Sequence, residues 1–263
     1  MLHSFIVGKG TPTVWLHGLL GNGLNFSNFA NDLEGKHYLV DVRNHGRSFH
    51  DKSMSYPVLA EDLIRFLDNH SVPKCRVVGH SMGAKIAGYS ACKYPERFEK
   101  VCLLDLAPID YRKAESSNTA KQVLQFMKEV NLRQDRLNIE KQAQMVFGNP
   151  NIVALICSNL RAINPNKYKW RVNVDELFQG LEAVSSWPQF QDKYEGPVLA
   201  ICGGNSDYTC KSPQFNEEHT LKQAFLKHFP KTELKVIQEA GHFLHVTYPL
   251  EVRTALHKFL NNK

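Results

Sequence analysis

Apolar residues in this chain come in short dense blocks, separated by longer stretches in which they recur at helical spacing. The blocks at residues 13–17, 38–41, 76–79, 101–106, 198–202 and 234–237 are aliphatic and β-branched, with almost no polar alternation. A strand buried on both faces has this signature, so the blocks predict a mostly parallel sheet flanked by helices. Behind Ser55, an expected N-cap, Leu59, Leu63, Phe66 and Leu67 form one apolar stripe. Behind Pro249, which suits a first helical turn, Val252, Leu256, Phe259 and Leu260 form another. Strands alternating with helices specify the α/β class with right-handed crossovers.

The rhythm stops between residues 111 and 190. No convincing strand is visible there; Val123, Met127 and Val130 share a helical face, and Gly148-Asn149-Pro150 and Asn164-Pro165 interrupt the pattern. So long a stretch is not a loop. The expectation is a helical cap at residues 111–190, inserted into a core formed by residues 1–110 and 191–263.

Composition narrows the function classes. With 43% hydrophobic and 22% charged residues among 263, the chain can build a full core, which excludes a disordered or fibrous protein. No apolar run approaches the roughly 18–20 residues of a membrane span. The first seven residues carry no export signal, so a cytoplasmic location is expected. The net charge is only +6 and its basic residues are scattered, which argues against a nucleic-acid partner. Among the six cysteines there is no C-x-x-C pair; Cys75, Cys102 and Cys202 sit in or beside strand-like runs and read as small buried thiols. His242-x-x-His245 has no companion ligands, so no metal and no cofactor is expected.

The chemistry concentrates in Gly79-His80-Ser81-Met82-Gly83, which follows an apolar block and opens a helical pattern. A serine on so tight a strand-to-helix turn is lifted clear of the sheet, and its neighbours two residues away must be small. G-x-S-x-G arises by chance in about one chain in twenty of this length, so the strand–turn–helix context carries the assignment of Ser81 as nucleophile. A hydroxyl needs a general base. His242, just after the last strand block, falls at the same carboxyl edge of the sheet; His245 is the rival. The loop His17-Gly18-Leu19-Leu20-Gly21 leaves an early strand at that edge, so the N–H groups of Leu19 and Met82 are candidates for an oxyanion hole. Two acids can orient the histidine: Asp105, ending the strand after the nucleophile, and Asp207, in the loop after the next strand. In the inserted stretch Phe126, Met127, Met145, Phe147 and Trp170 are candidate lining residues for an acyl pocket, with core packing the alternative for each.

The whole chain resembles the α/β-hydrolase superfamily and, more narrowly, the YbfF-type esterases with their mitochondrial abhydrolase-domain relatives. Besides the segments above, the likeness rests on Asp41-Val-Arg-Asn-His-Gly-Arg-Ser48, Trp170-Arg-Val-Asn173, Gly203-Gly-Asn-Ser206 and Ala240-Gly-His-Phe-Leu-His245. It implies an α/β-hydrolase fold and a triad acid after the strand that follows the nucleophile, which maps to Asp105. The chain departs from the family in Ala84, where a third glycine is usual, in Asp207, where a non-acid is typical, and in lacking the leader of the mitochondrial relatives. The segment from Asp41 to Ser48 reads as scaffold, with a supporting role for Arg43 and His45 at the functional edge the alternative. The expected activity is hydrolysis of a small-molecule ester or thioester of short to medium acyl length through Ser81, His242 and Asp105. A C–C bond hydrolase or lyase on the same fold and a non-catalytic ligand receptor are the alternatives; Ser81 in place of a carboxylate speaks against a haloalkane dehalogenase.

Overall fold

A computed structural model describes residues 1–216 and 219–261. These residues build one seven-stranded sheet from β1 (His3–Lys9), β2 (Pro12–Leu16), β3 (Gly35–Asp41), β4 (Cys75–His80), β5 (Phe98–Leu104) and two later strands. Between β5 and those strands lies a separate antiparallel hairpin, β6 (Leu160–Asn164) and β7 (Lys167–Trp170). β8 (Val198–Gly203) and β9 (Thr232–Ile237) complete the sheet in the order β1-β3-β2-β4-β5-β8-β9. Only β1 runs antiparallel to its neighbour.

Each of the six apolar blocks is a strand, and in the central ones successive side chains enter two different cores; β9, at the sheet edge, buries only Ile237. Val14, Tyr38, Val77 and Val101 face one apolar cluster while Trp15, Leu39, Val78 and Cys102 face another. The first cluster is covered by α2 (Tyr56–Asn69) and α3 (Met82–Lys93); the second by α1 (Ser27–Asp32) and, from late in the chain, Pro249–Asn261. The stripe Leu59, Leu63, Phe66 and Leu67 is buried in the first core. Ser55 does precede α2, but its hydroxyl bonds no helix amide; Pro57 shapes the first turn instead, and the Ser55 carbonyl accepts from the Leu59 N–H. The block at 101–106 ends early, at Leu104, because Asp105 turns to φ +49°. β1 has no counterpart among the blocks: it is an edge strand, mostly half-exposed or exposed.

Between β5 and β8 run α4 (Glu115–Glu129), α5 (Arg136–Phe147), α6 (Pro150–Ser158), the hairpin, α7 (Val174–Gln179) and α8 (Leu181–Ser185). The all-helical expectation for residues 111–190 is therefore corrected by β6 and β7. Their side chains are largely exposed, so no apolar block marks them, and Asn164-Pro165 forms the hairpin turn rather than a break between helices. Hydrogen bonds tie this segment to the core; among them Asn159 Nδ2 donates to Leu20 O at 2.8 Å, Asn173 N–H donates to Asn44 O at 2.8 Å, and Lys85 Nζ donates to Ser185 O and Ser186 O at 3.0 and 2.7 Å. The remaining helices, α9 (Leu221–Leu226), α10 (Leu244–Thr247) and α11 (Pro249–Asn261), flank β9 in sequence.

Candidate active site

Ser81 sits between β4 and α3 with φ +54° and ψ −121°, a conformation costly for any residue with a side chain. Steric limits around it explain the flanking glycines. A Cβ on Gly79 would lie 2.2 Å from Gly83 O, and one on Gly83 would lie 2.1 Å from Leu16 O. Neither approach leaves room for a methyl group. Ala84 is buried in the first core, so the third small residue of the family pattern is met by alanine at this position.

His242, in the loop after β9, places Nε2 3.0 Å from Ser81 Oγ and Nδ1 2.8 Å from Asp105 Oδ2. With the ring protonated at Nδ1, it donates to the carboxylate and accepts from the serine. Asp105 is wholly buried, and other donors converge on it: the Gly203 N–H and Thr209 Oγ1 on Oδ1, both at 2.7 Å, and Ser206 Oγ on Oδ2. Sequence reasoning missed Ser206 and Thr209 as partners of this carboxylate. The signal was within reach, since both lie in the loop after β8 that carries Asp207 and the Gly203-Gly-Asn-Ser206 part of the family likeness. Asp207 lines the adjoining cleft, and among the described residues no hydrogen bond or ion pair joins it to His242.

His242 is further fixed by its neighbours. The Tyr208 ring stacks on the imidazole with centroids 3.9 Å apart, and His80 Nε2–H donates to the His242 carbonyl at 2.9 Å. Burial holds His80 well below the ordinary histidine range, so it acts as a neutral donor. His245 is buried too, its ring 4.2 Å from His80; burial and the neighbouring His242 push it down to about 3. It makes no hydrogen bond to Ser81 among the described residues.

Across the nucleophile lies the loop after β2. His17 Nδ1–H donates to Gly18 O at 2.7 Å while its Nε2 accepts the Val42 N–H at 3.0 Å. His45 Nδ1–H donates to Arg43 O at 2.9 Å while its Nε2 accepts the Leu20 N–H at 3.1 Å. Each imidazole is one donor and one acceptor, a role only the neutral ring fills. Burial lowers His17 to about 4; burial and then His17 lower His45 to about 3. With Leu20 at φ +64° and its amide engaged, the N–H groups of Leu19 and Met82 have no protein acceptor among the described residues. The rest of the segment from Asp41 to Ser48 is scaffold. Arg43 Nε bonds Asp62 at 2.5 Å, and Asp41 accepts the Gly23 and Arg47 amides at 2.8 and 2.9 Å.

Two voids meet at Ser81. A cleft of about 720 Å³ runs past His242, Gly241 and Asp207 to Val123, Phe147 and Ile152 of the inserted segment. A chamber of about 50 Å³ lies on the other side, reaching Lys85, Leu106 and Leu181. Of the candidate pocket residues only Phe147 lines either void. Phe126 packs edge-on against Phe147, Met127 is core, and Trp170 donates its indole N–H to Met127 O at 2.8 Å. Met145 points outward, 86% exposed. Among the described residues no cluster of three or more metal-ligating side chains occurs, and no helix is long and apolar enough to cross a membrane.

Comparison with known proteins gives a consistent setting. Residues 12–249 match the family profile of the alpha/beta hydrolase fold. The chain is 32% identical over 263 residues to the sn-1-specific diacylglycerol lipase ABHD11 of Danio rerio, covering 96% of this chain and 79% of that protein. It is 30% identical over 256 residues to the esterase YbfF of Escherichia coli strain K12, covering 97% and 94%. Among solved structures, one titled "Marine microorganism esterase" superposes with a TM-score of 0.91 at 29% identity, covering 98% of both chains.

Proposed function

The chain belongs to the alpha/beta hydrolase fold family and is a hydrolase of the esterase/lipase type, and from that premise we propose a serine hydrolase that cleaves carboxylic esters and thioesters through Ser81, His242 and Asp105. One observation carries the proposal. A continuous hydrogen-bonded line runs from Ser81 Oγ through His242 to Asp105, beside the unengaged N–H groups of Leu19 and Met82.

In this mechanism Ser81 Oγ attacks the carbonyl carbon while His242 Nε2 takes its proton. Asp105 holds the imidazole tautomer and stabilises the imidazolium. The developing oxyanion is met by the Leu19 and Met82 amides. His242 then protonates the leaving oxygen or sulfur. Water, deprotonated by His242, next opens the acyl-enzyme and returns Ser81 and the free acid. The segment at residues 111–190 acts as a cap, since its α4 and α6 wall one side of the cleft.

The test is hydrolysis of p-nitrophenyl acetate and butyrate, with labelling by a fluorophosphonate. The expected result is one adduct on Ser81 and a loss of on the order of 10⁴–10⁶-fold in kcat for Ser81→Ala. An adduct elsewhere, or none with no esterase activity, rejects the assignment and returns the C–C hydrolase, lyase and receptor alternatives.

A further inference from the structure

The inserted segment gathers basic charge that is scattered along the rest of the chain. Between Glu140 and Asp175 lie Lys141, Arg161, Lys167, Lys169 and Arg171, and no acid. All but Lys141 fall on the β6–β7 hairpin or directly after it. Successive side chains of a strand point to opposite faces. Tyr168 and Trp170 are half-buried and Val172 is buried, whereas Lys167, Lys169 and Arg171, which alternate with them, are exposed. Across the ladder Leu160 pairs with Trp170 and Arg161 with Lys169, so Arg161 joins the outward face. Ile163, 53% exposed, stands at the irregularity near the turn.

Arg161 directly opposite Lys169 costs stability, because like charges face each other across the ladder. No carboxylate relieves it: among the described residues Arg161, Lys167, Lys169 and Arg171 form no ion pair. We propose that this outward face docks on an anionic lipid bilayer, with Ile163 entering the boundary between headgroups and acyl chains. Cations crowded on a small two-stranded face match a plane of headgroups, which supplies negative charge at any spacing. An apolar side chain held out among them suits insertion just below that plane. A nucleic-acid backbone would engage the cations and leave Ile163 in water.

The hairpin also stands beside the cleft. Arg171 N–H donates to Asn159 O at 2.8 Å, and Asn159 Nδ2 donates to Leu20 O at 2.8 Å. Leu20 and Ser158 line the cleft, as does Val246, which is 59% exposed. A bilayer held at the hairpin therefore lies close to the void that leads to Ser81. Each basic residue near such a surface strengthens binding about fivefold, and salt screens the attraction.

The experiment is co-sedimentation of the full chain with vesicles of phosphatidylcholine alone and of phosphatidylcholine with phosphatidylserine in equal parts. Expected is binding to the mixed vesicles that weakens as salt rises, and binding about tenfold weaker or less to phosphatidylcholine alone. Lys167→Gln with Lys169→Gln should lower the affinity about thirtyfold, and Ile163→Ser about tenfold at unchanged charge. Lys222→Gln with Lys231→Gln removes the same charge from exposed positions outside the inserted segment and should stay within about threefold of the parent. All five side chains are exposed, so their replacement takes nothing from the core. No binding to the mixed vesicles overturns the proposal, and so do equal losses in the two lysine pairs, which would reduce the effect to net charge. Tighter binding of a DNA duplex, or of polyglutamate as an acidic protein surrogate, with the same dependence on Lys167 and Lys169, overturns it as well. Ser81→Ala should bind vesicles as the parent does, so failure here and failure of the serine hydrolase assignment are separate results.

Discussion

Asp105 receives four side-chain or backbone donors and Asp207 none that involve the histidine, although both lie at the same edge of the sheet. That difference was not legible in the sequence. Strand order places both acids within reach of the His242 loop, and only the packed structure sets one oxygen at 2.8 Å. Asparagine in place of Asp105 keeps the size but removes the charge that stabilises the imidazolium. We expect Asp105→Asn to lose on the order of 10⁴ in kcat while remaining folded, and Asp207→Asn to stay within about tenfold. Steady-state kinetics with circular dichroism on both variants decides it. The opposite pattern would give the role to Asp207, and two mild phenotypes would remove it from both. Ser81 and His242 were easier to recognise, because a nucleophile on a tight turn and a histidine after the last strand follow from local pattern alone.

Among the elements, the strands with side chains in both cores were located by their apolar blocks, although β3 and β5 each begin three residues before the block. β1 and the β6–β7 hairpin were not, since exposed side chains leave the hydrogen-bonded ladder without a compositional trace. Helical periodicity failed differently. Along α4, Val123 lines the cleft and Met127, one turn on, is core; the stripe shows that a face is covered but not what covers it. The junction of β4 and α3 is the least tolerant place in the fold. Any methyl at position 83 must displace the backbone carbonyl of Leu16, in the strand that leads into the Leu19 loop. Gly83→Ala is therefore expected to lower the melting temperature and to reduce kcat by about a hundredfold or more, as small displacements of reacting groups do. Thermal unfolding and p-nitrophenyl butyrate kinetics read both effects; an unchanged rate would show that the elbow can relax.

Taken as a whole, the molecule buries six histidines among its described residues, His17, His37, His45, His80, His228 and His245, all held below the ordinary range chiefly by burial. In the unfolded chain they take up protons near pH 6.5, whereas in the folded one His17 does so only near 4 and His45 and His245 only near 3. The unfolded state therefore binds more protons across that window, so the stability these residues confer is intact above about pH 6.5 and is lost as pH falls toward 4. The urea midpoint should drop steeply between those values. Replacing His45 by glutamine, which donates and accepts without titrating in this range, should flatten the drop; an equally steep fall would place its cause elsewhere. A last consequence follows from the chain order of the site. Leu19 and Ser81 precede the inserted segment, whereas His242 follows both it and β9. A ribosome thus releases the nucleophile and its amide donors long before the base that activates them. Until the loop after β9 docks, the serine is an ordinary alcohol, and the nascent polypeptide is chemically silent toward the esters around it.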